Sequence, residues 1–382
     1  MRVAIIVHSY YLRDTRPRRH AAILSRAGHQ VEVICARDVD ESASEEIGGV
    51  KIRRLPARRK RGSKLRYIFE YLSFTLMASL ALLRRRGRYD AIIVLGIPNF
   101  LVASTLVLRP RKQQRPRILL DMRDPLPEFF QAKYQMPAGS LAHRLLLAEE
   151  RFSCRLADQI LTVVGSMARL YARSVDPSKI KVAMNAPDTR LFKVTDVRRD
   201  PSDRTMLYTG TVAERYGVDL AVHAVALLKA EIPGLRLRIV GDGDLIEDCR
   251  AKATSLGVSD RVEFLAPVPL DQVPGLIASA WIGVQPNRSD ALMDHSLSTK
   301  ILEWASLRLP VVAGRTDALE AVFGSDSIWL HEPGDLEDLC RCIREVQAGQ
   351  DTARRLELAQ QRAEAVDFES QAKVLLAAVE GA

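Results

Sequence analysis

Short runs of β-branched residues, each stopping at a loop, alternate along nearly the whole chain with stretches whose apolar residues fall at helical spacing, and this rhythm constrains the fold more than any other feature. It opens with a run at 3–7, a helical pattern over 15–27 closed by Gly28, and a second run at 31–35, which predicts a βαβ unit. Further runs at 91–95, 118–121, 159–163 and 180–184 extend the pattern, and a parallel sheet with helices on both faces follows. Residues 193–204, KVTDVRRDPSDR, lose apolar periodicity and carry Pro201, so they read as a linker. The rhythm restarts with runs at 205–208, 235–240, 262–265, 282–284 and 310–313, and with helical patterns over 218–230, 245–256 and 299–306. The reading is an α/β chain of two doubly wound domains, 1–192 and 204–350. A helical stretch over 352–380 should bury its apolar face by packing back toward the first domain. Ligands of open α/β sheets bind outside the carboxyl ends of the strands, so the expected site lies where the two domains face across a cleft.

Charge divides the chain at the linker. Through Arg199 there are 38 basic and 18 acidic residues, a net +20; after it there are 18 and 29, a net −11. The basic half suits an anionic membrane surface or another polyanion, although a solvated, arginine-rich surface gives the same count. Five cysteines, 35, 154, 249, 340 and 342, form no C-x-x-C, which argues against a disulfide framework or a zinc site and for a reducing, cytoplasmic compartment. The apolar run at the N-terminus lacks a long apolar region and a cleavage site, and reads as a strand and not a signal peptide.

Residues 51–66 carry Lys51, Arg53, Arg54, Arg58, Arg59, Lys60, Arg61, Lys64 and Arg66, and the apolar stretch that follows ends in Arg84, Arg85, Arg86 and Arg88. Beyond Glu70 that stretch has 13 uninterrupted residues, short of the roughly 20 that cross a bilayer. Each cation near an anionic leaflet is worth about 1 kcal/mol, so peripheral attachment is one reading, and a core helix preceded by a solvated basic loop is the other.

Three segments could carry chemistry. In the first, Gly210 and Thr211 lead from a strand into Arg215, whose fork matches phosphate oxygens; a plain tight turn would look the same. In the second, Gly241, Asp242 and Gly243 follow a strand end, where glycine admits close approach of a ligand or serves a simple βα turn. In the third, Asp294 and His295 precede a helix with Lys300 in its first turn and Glu303 one turn on. A first-turn lysine opposes the helix dipole, which an anionic ligand would offset.

The ordered set is more specific than its parts. G-T-x-x-x-R-Y-G at 210–217, I-V-G-D-G at 239–243, L-G-V-x-D-R-V-x-F at 256–264, T-K-I-L-E-W at 299–304 and P-V-V-A at 310–313 resemble the donor domain of retaining family-4 glycosyltransferases of the GT-B fold, of the bacterial exopolysaccharide and surface-polysaccharide type. H-S-Y-Y-L-R-D-T-R-P-R-R-H at 8–20, A-G-H-Q-V at 27–31, D-M-R-D-P-L-P-E at 121–128 and M-N-A-P-D-x-x-L-F at 184–192 are similar to its first domain.

The resemblance implies two Rossmann-like domains and a nucleotide-sugar co-substrate, UDP being the commonest nucleotide and GDP an alternative. It assigns Glu303 to the ribose hydroxyls. His295 stands where many relatives have a first glutamate, leaving Asp294 or His295 to contact the sugar or its phosphate. Thr211 and Tyr216 replace the family's phosphate-binding cations, so Arg215 and Lys300 are assigned to the diphosphate, where they would stabilise the leaving group. On the acceptor side, Arg123 stands in place of a histidine before Asp124, and the two could instead form a structural ion pair. Asp14, Arg16, Arg19, Pro98 and Asn99 are placed to line the same crevice, and Asn185 and Asp188 to sit near the hinge.

No Asp-x-Asp stands where a metal-dependent enzyme would hold a diphosphate-bound cation, so no metal and no other cofactor is expected. Retention is implied by the family and proceeds by front-face attack, since no carboxylate nucleophile is identifiable. The implied acceptor is a saccharide or a polyprenyl-linked lipid at the inner face of the cytoplasmic membrane. An epimerase of the same fold is the main competing reading. Binding of nucleic acid is disfavoured because the cations flank an apolar helix without interleaved aromatics, leaving a non-enzymatic polyanion-binding protein as a remote reading. A dinucleotide-dependent oxidoreductase lacks its G-x-G-x-x-G.

Overall fold

The computed structural model describes residues 1–57, 64–85, 87–108, 115–187, 191–192, 200 and 202–381. Two compact units are formed: unit 1 from Met1–Met184 with Glu369–Ala382, and unit 2 from Asn185–Phe368.

Unit 1 runs β1 (Arg2–Val7), α1 (Thr15–Arg26), β2 (Gln30–Ala36), β3 (Ser44–Ile47), β4 (Val50–Leu55), α2 (Lys64–Leu83), β5 (Ala91–Leu95), a 3-10 stretch Asn99–Leu108, β6 (Arg117–Asp121), α3 (Leu126–Tyr134), α4 (Leu141–Leu156), β7 (Gln159–Thr162), α5 (Gly165–Tyr171) and β8 (Ile180–Val182). Its eight strands order as β3-β4-β2-β1-β5-β6-β7-β8. All pairs are parallel except the edge hairpin β3–β4. Central strands such as β1 and β5 are continuous apolar runs because helices cover both of their faces.

Helix α2 passes the length and composition test for a membrane span over Arg66–Leu83, a stretch the residue count above placed below the limit, but only 28% of that window is buried. Phe74, Ala78 and Leu82, one turn apart, are buried where the helix packs against β4 and the 3-10 stretch. Ile68, Phe69, Leu72, Leu76, Leu80 and Leu83 are exposed. The helix thus turns one apolar stripe into the domain core and leaves a second apolar row on the surface. Arg58, Arg59, Lys60, Arg61 and Arg86 lie outside the described residues, as does the side chain of Lys64.

Unit 2 runs β9 (Arg204–Thr209), α6 (Val218–Leu228), β10 (Leu235–Val240), α7 (Ile246–Ser255), β11 (Val262–Leu265), α8 (Val273–Ala278), β12 (Ile282–Gln285), α9 (Thr299–Ser306), β13 (Val311–Gly314), α10 (Asp317–Ser327), β14 (Trp329–His331), α11 (Leu336–Ala348) and α12 (Thr352–Glu364). Six parallel strands order as β11-β10-β9-β12-β13-β14. Tyr208, Val222, Val225, Ile239 and Val284 belong to its buried core. Trp304 is fully buried with its ring against Gly283 of β12, where a Cβ would lie 2.5 Å from it.

The helical stretch expected over 352–380 is two helices, not one. α12 buries Ala359 and Ala363 against α9 and α10 inside unit 2. α13 (Phe368–Glu380) packs in unit 1, where Gln371 Oε1 accepts the Met184 N–H at 2.7 Å and Arg117 Nε donates to the Ala378 carbonyl at 2.8 Å. The break lies at residues 365–367, and the unit boundary falls at Met184, ahead of the stretch read as a linker, most of which is outside the described residues. All five cysteines are buried thiols without disulfides.

Candidate active site

In unit 2, β9 ends at Thr209 and the chain turns at Gly210, whose φ of +121° an L side chain rarely adopts. Lys300, in the first turn of α9, stands beside that turn. Its Nζ donates to the Thr209 carbonyl at 2.6 Å and lies 4.0 Å from the centre of the Tyr208 ring. A Cβ on Gly210 would meet Nζ at 3.3 Å, so the glycine leaves room for the lysine. Two segments far apart in sequence, both singled out by their residue types, are thus brought together.

Burial pushes the Lys300 ammonium down to about 7, with the charge of Glu303 opposing. Burial likewise pushes the Glu303 carboxyl up to about 7, with Lys300 opposing. Both groups sit in a place that disfavours their charge, and each would gain from a ligand of complementary chemistry: an anion for the ammonium, hydroxyl donors for the carboxylate.

The Gly241-Asp242-Gly243 turn serves its neighbours. A Cβ on Gly241 would fall 1.9 Å from the Gly210 carbonyl oxygen, and one on Gly243 2.1 Å from that of Val212. The Gly210 N–H donates to the Val240 carbonyl and the Val212 N–H to that of Asp242, locking the two strand-end loops together. Both glycines admit close approach of backbone to backbone, and Asp242 turns its carboxylate onto the Gly243 N–H at 2.8 Å. Thr211 is exposed, its carbonyl accepting the Tyr208 hydroxyl at 2.5 Å.

Arg215 lies in a 3-10 turn, with Nε 3.7 Å from the Asp290 carboxylate. That loop is pinned by Arg288, which sequence reasoning did not single out. Arg288 forks onto Asp219 at 2.8 and 2.9 Å, donates to the Glu214 carbonyl at 2.8 Å, and its backbone N–H donates to the Arg215 carbonyl at 2.9 Å. Although burial works against it, Arg288 and Lys252 hold the Asp219 carboxyl down to about 2. Asp294 and His295 occupy a 3-10 turn ahead of α9, where Asp294 accepts the Ser289 hydroxyl at 2.8 Å.

In unit 1, Asp14 caps α1 by accepting the Arg16 N–H at 3.0 Å, and its carboxylate also takes the Arg16 guanidinium. Burial opposes ionisation of Asp14, but Arg16 overcomes it and holds the carboxyl below its usual range. Arg16 continues to the Gly96 carbonyl at 3.3 Å, linking the ends of β1 and β5. Pro98 and Asn99 are buried after β5, with Asn99 Oδ1 folded toward Gly96.

Arg123 donates Nε to the Asp121 carboxylate at 3.1 Å, and Asp124 follows it in the loop after β6. The same Asp121 faces His20 Nε2 at 3.0 Å, and both are almost fully buried. Against the cost of burial, Arg123 and His20 hold Asp121 well below the carboxylate range. Arg19, on α1 beside His20, acts on that ring through its charge. His20 and Asp121 were visible only as letters in the motifs; their separation of 101 positions hides the contact. Asn185 stands at the unit boundary and Asp188 lies outside the described residues. Among the described residues, no group of three or more His, Cys, Asp or Glu could hold a metal ion.

Comparison with known proteins shows the family and the fold. The family description "Glycosyl transferases group 1" matches residues 203–348, and "Glycosyl transferase 4-like domain" matches residues 14–186. A phosphatidylinositol N-acetylglucosaminyltransferase component from Arabidopsis thaliana is 30% identical over 198 residues, 50% of this chain and 42% of that protein. The D-inositol 3-phosphate glycosyltransferase of Acidothermus cellulolyticus is 31% identical over 183 residues, 43% of this chain and 39% of its own. The chain thus spans less than half the length of these relatives. Among solved structures, the sucrose-phosphate synthase of Thermosynechococcus elongatus superposes with a TM-score of 0.77 at 18% identity, covering 98% of this chain and 96% of that one. Anabaena HepE in complex with UDP gives 0.73 at 16% identity over 100% of both chains.

Proposed function

The chain belongs to the family-4 glycosyltransferases of the GT-B fold, and from this we propose that it moves a sugar from a nucleoside-diphosphate sugar, UDP-linked in the first instance, to a saccharide or lipid-linked acceptor, with retention and without a metal. The observation that carries the reading is the meeting of Lys300 with the Gly210 turn, one helical turn ahead of Glu303. An ammonium and a carboxylate, each displaced toward neutral pH by burial, stand where one molecule carrying a diphosphate and a ribose would relieve both.

In this reading Lys300 and Arg215 hold the diphosphate and Glu303 accepts from the ribose hydroxyls, while Asp294 or His295 contacts the sugar or its phosphate. The acceptor oxygen bonds to the anomeric carbon as the bond from that carbon to the phosphate oxygen breaks, and the hydroxyl proton passes to the departing phosphate. Charge grows on the leaving diphosphate, so fixed cations there lower the barrier without a metal ion. In unit 1, Asp14, Arg16, Arg19, Pro98, Asn99, Arg123 and Asp124 stand on the acceptor side at the carboxyl ends of the strands.

The structurally similar HepE was solved with UDP, and a relative from Mycolicibacterium smegmatis, 33% identical over 104 residues, is a GDP-mannose-dependent mannosyltransferase, so both nucleotides belong in the test. A thermal-shift panel of UDP, GDP, ADP, dTDP and NAD, with and without EDTA, should show one nucleoside diphosphate stabilising the protein independently of metal. Glu303→Ala should abolish that shift. Stabilisation by NAD alone, or a nucleotide shift lost on adding EDTA, would overturn the corresponding part.

The same reading places the protein on the inner face of the cytoplasmic membrane, in surface-polysaccharide or glycoconjugate synthesis. The exposed apolar side of α2 and the cations in the flanking sequence support attachment there. Flotation with anionic liposomes should be salt-sensitive and absent with neutral ones; binding indifferent to both would remove the electrostatic part.

A further inference from the structure

Strand β6 ends at Asp121, and the backbone there is pinned: the Gly96 N–H donates to the Asp121 carbonyl at 3.0 Å, and the Met122 N–H to the Leu161 carbonyl at 2.8 Å. From this fixed point the Asp121 carboxylate makes two contacts. Its oxygens share the Arg123 Nε–H at 3.2 and 3.1 Å, and Oδ2 stands 3.0 Å from Nε2 of His20 on α1. The side chains of His20 and Asp121 are 6% and 3% exposed and that of Arg123 is 11%, so the chain of contacts starts inside unit 1 and ends on a guanidinium nearer its surface.

The His20 ring has two nitrogens, and their surroundings differ. A carboxylate can only accept, so the hydrogen facing Asp121 belongs to Nε2. Nδ1 is buried without a hydrogen-bond partner among the described residues, and a proton there would be stranded. Burial is the largest influence on the ring: with the charges of Arg123 and Arg19 it holds the imidazole below its usual range, against the hydrogen bond and charge of Asp121. Burial opposes ionisation of Asp121 too, but Arg123, His20 and Arg16 overcome it. The pair is thus a neutral imidazole donating to a carboxylate, in one tautomer.

A carboxylate with no second partner could rotate and grip the guanidinium from another edge. With Oδ2 held by the His20 N–H, its plane is set, and Arg123 is met at Nε. A cation fixed in this way can stabilise developing charge without first reorganising.

We propose that His20 and Asp121 are positioning residues for Arg123: the imidazole orients the carboxylate, and the carboxylate holds the guanidinium in place for the acceptor side of sugar transfer. The use made of Arg123 rests on the transferase reading; the relay that holds it does not.

The test uses the full chain and three readouts: release of nucleoside diphosphate from UDP-glucose and GDP-mannose with water as acceptor, thermal shift by UDP and GDP, and nitrogen-15 spectra of histidine and arginine side chains. His20→Leu keeps most of the buried volume but has no donor; it should lower kcat tenfold or more while leaving the donor KM and the nucleotide shift as they were. His20→Gln, which restores an N–H, should recover most of that loss. Arg123→Met should also lower kcat, and adding His20→Leu to it should lower kcat no further, whereas a merely structural histidine would add its own loss. The spectra should show His20 neutral with its hydrogen on Nε2, and the Arg123 Nε–H signal should move in His20→Leu. Wild-type kcat in His20→Leu, independent losses in the double variant, or a hydrogen on Nδ1 of His20 overturns the proposal; the wild-type histidine spectrum decides the last point whichever variants fold. A wild type that releases nothing from either donor and responds to neither nucleotide counts against the transferase reading, and the Arg123 signal then decides the relay by itself: moved in His20→Leu it stands, unmoved it falls.

Discussion

Replacing Lys300 by methionine should make the ligand-free protein more stable while removing its response to nucleotide. The ammonium is held at about 7 against an ordinary 10.5, so in the folded state it gives up its proton more readily than in the unfolded state. The resulting cost is present in full below pH 7 and fades as pH rises from 7 to 10.5. At about 1.4 kcal/mol per unit the 3.5-unit gap amounts to roughly 5 kcal/mol. Methionine keeps the apolar stem but loses the hydrogen bond to Thr209 and the contact with the Tyr208 ring, together about 2–3 kcal/mol. The balance is a gain of about 2 kcal/mol, or a rise of roughly 4–8 °C in the melting of a domain of this size. Measurement at pH 6 keeps the comparison clean, because Glu303, pushed up to about 7, is then mostly protonated and little harmed by losing its partner. Calorimetry with and without UDP is the assay. A variant that melts below the wild type at pH 6 would refute the desolvation reasoning, and one that keeps the UDP shift would remove Lys300 from the nucleotide site.

Three further outcomes follow from other parts of the molecule. Gly241→Ala should separate the loops after β9 and β10, because its methyl would fall 1.9 Å from the Gly210 oxygen; a loss of about 2–4 kcal/mol by urea unfolding, with weakened UDP binding, is expected, and an unchanged midpoint would contradict the close packing. Arg173 forks onto both Glu128 and Glu150, the latter fully buried, so Arg173→Ala should cost about 3–5 kcal/mol and Arg173→Lys part of that. Glu149 is raised to about 7 from 4.5 chiefly by burial, a cost borne above pH 7 and relieved as pH falls toward 4.5. Glu149→Gln should therefore stabilise the protein by up to about 3 kcal/mol at pH 8 and hardly at all at pH 4.5, which paired unfolding curves would check.

Most strands were legible because they are continuous apolar runs between loops, and the donor-side segments because glycine, lysine and glutamate stand at telling places along them; Val50–Leu55, whose Lys51, Arg53 and Arg54 look like part of a basic loop, and the three-residue Trp329–His331 were not read as strands. Ser44–Ile47 escaped notice because SEEI is an exposed edge strand without apolar alternation. The stop between α12 and α13 has neither glycine nor proline to announce it, and follows from the two helices packing in different units. The Gly-Asp-Gly turn was visible, but whether its glycines face a ligand or another loop depends on Gly210 and Val212, about thirty residues earlier. Arg288 with Asp219, and His20 with Asp121, join side chains 69 and 101 residues apart, and no local spacing encodes such a meeting.

Unit 1 is not continuous along the chain. Its last helix, α13, is made only after all of unit 2 has been synthesised, roughly 10–40 s later at about 5–20 residues per second. During that interval the buried Ala372, Leu375, Ala378 and Val379 are missing from the surface that will receive them, and the Arg117 guanidinium lacks its Ala378 carbonyl. The first unit to be started is therefore the last to be finished, and the nascent protein carries an open apolar seat on its leading half while the trailing half folds.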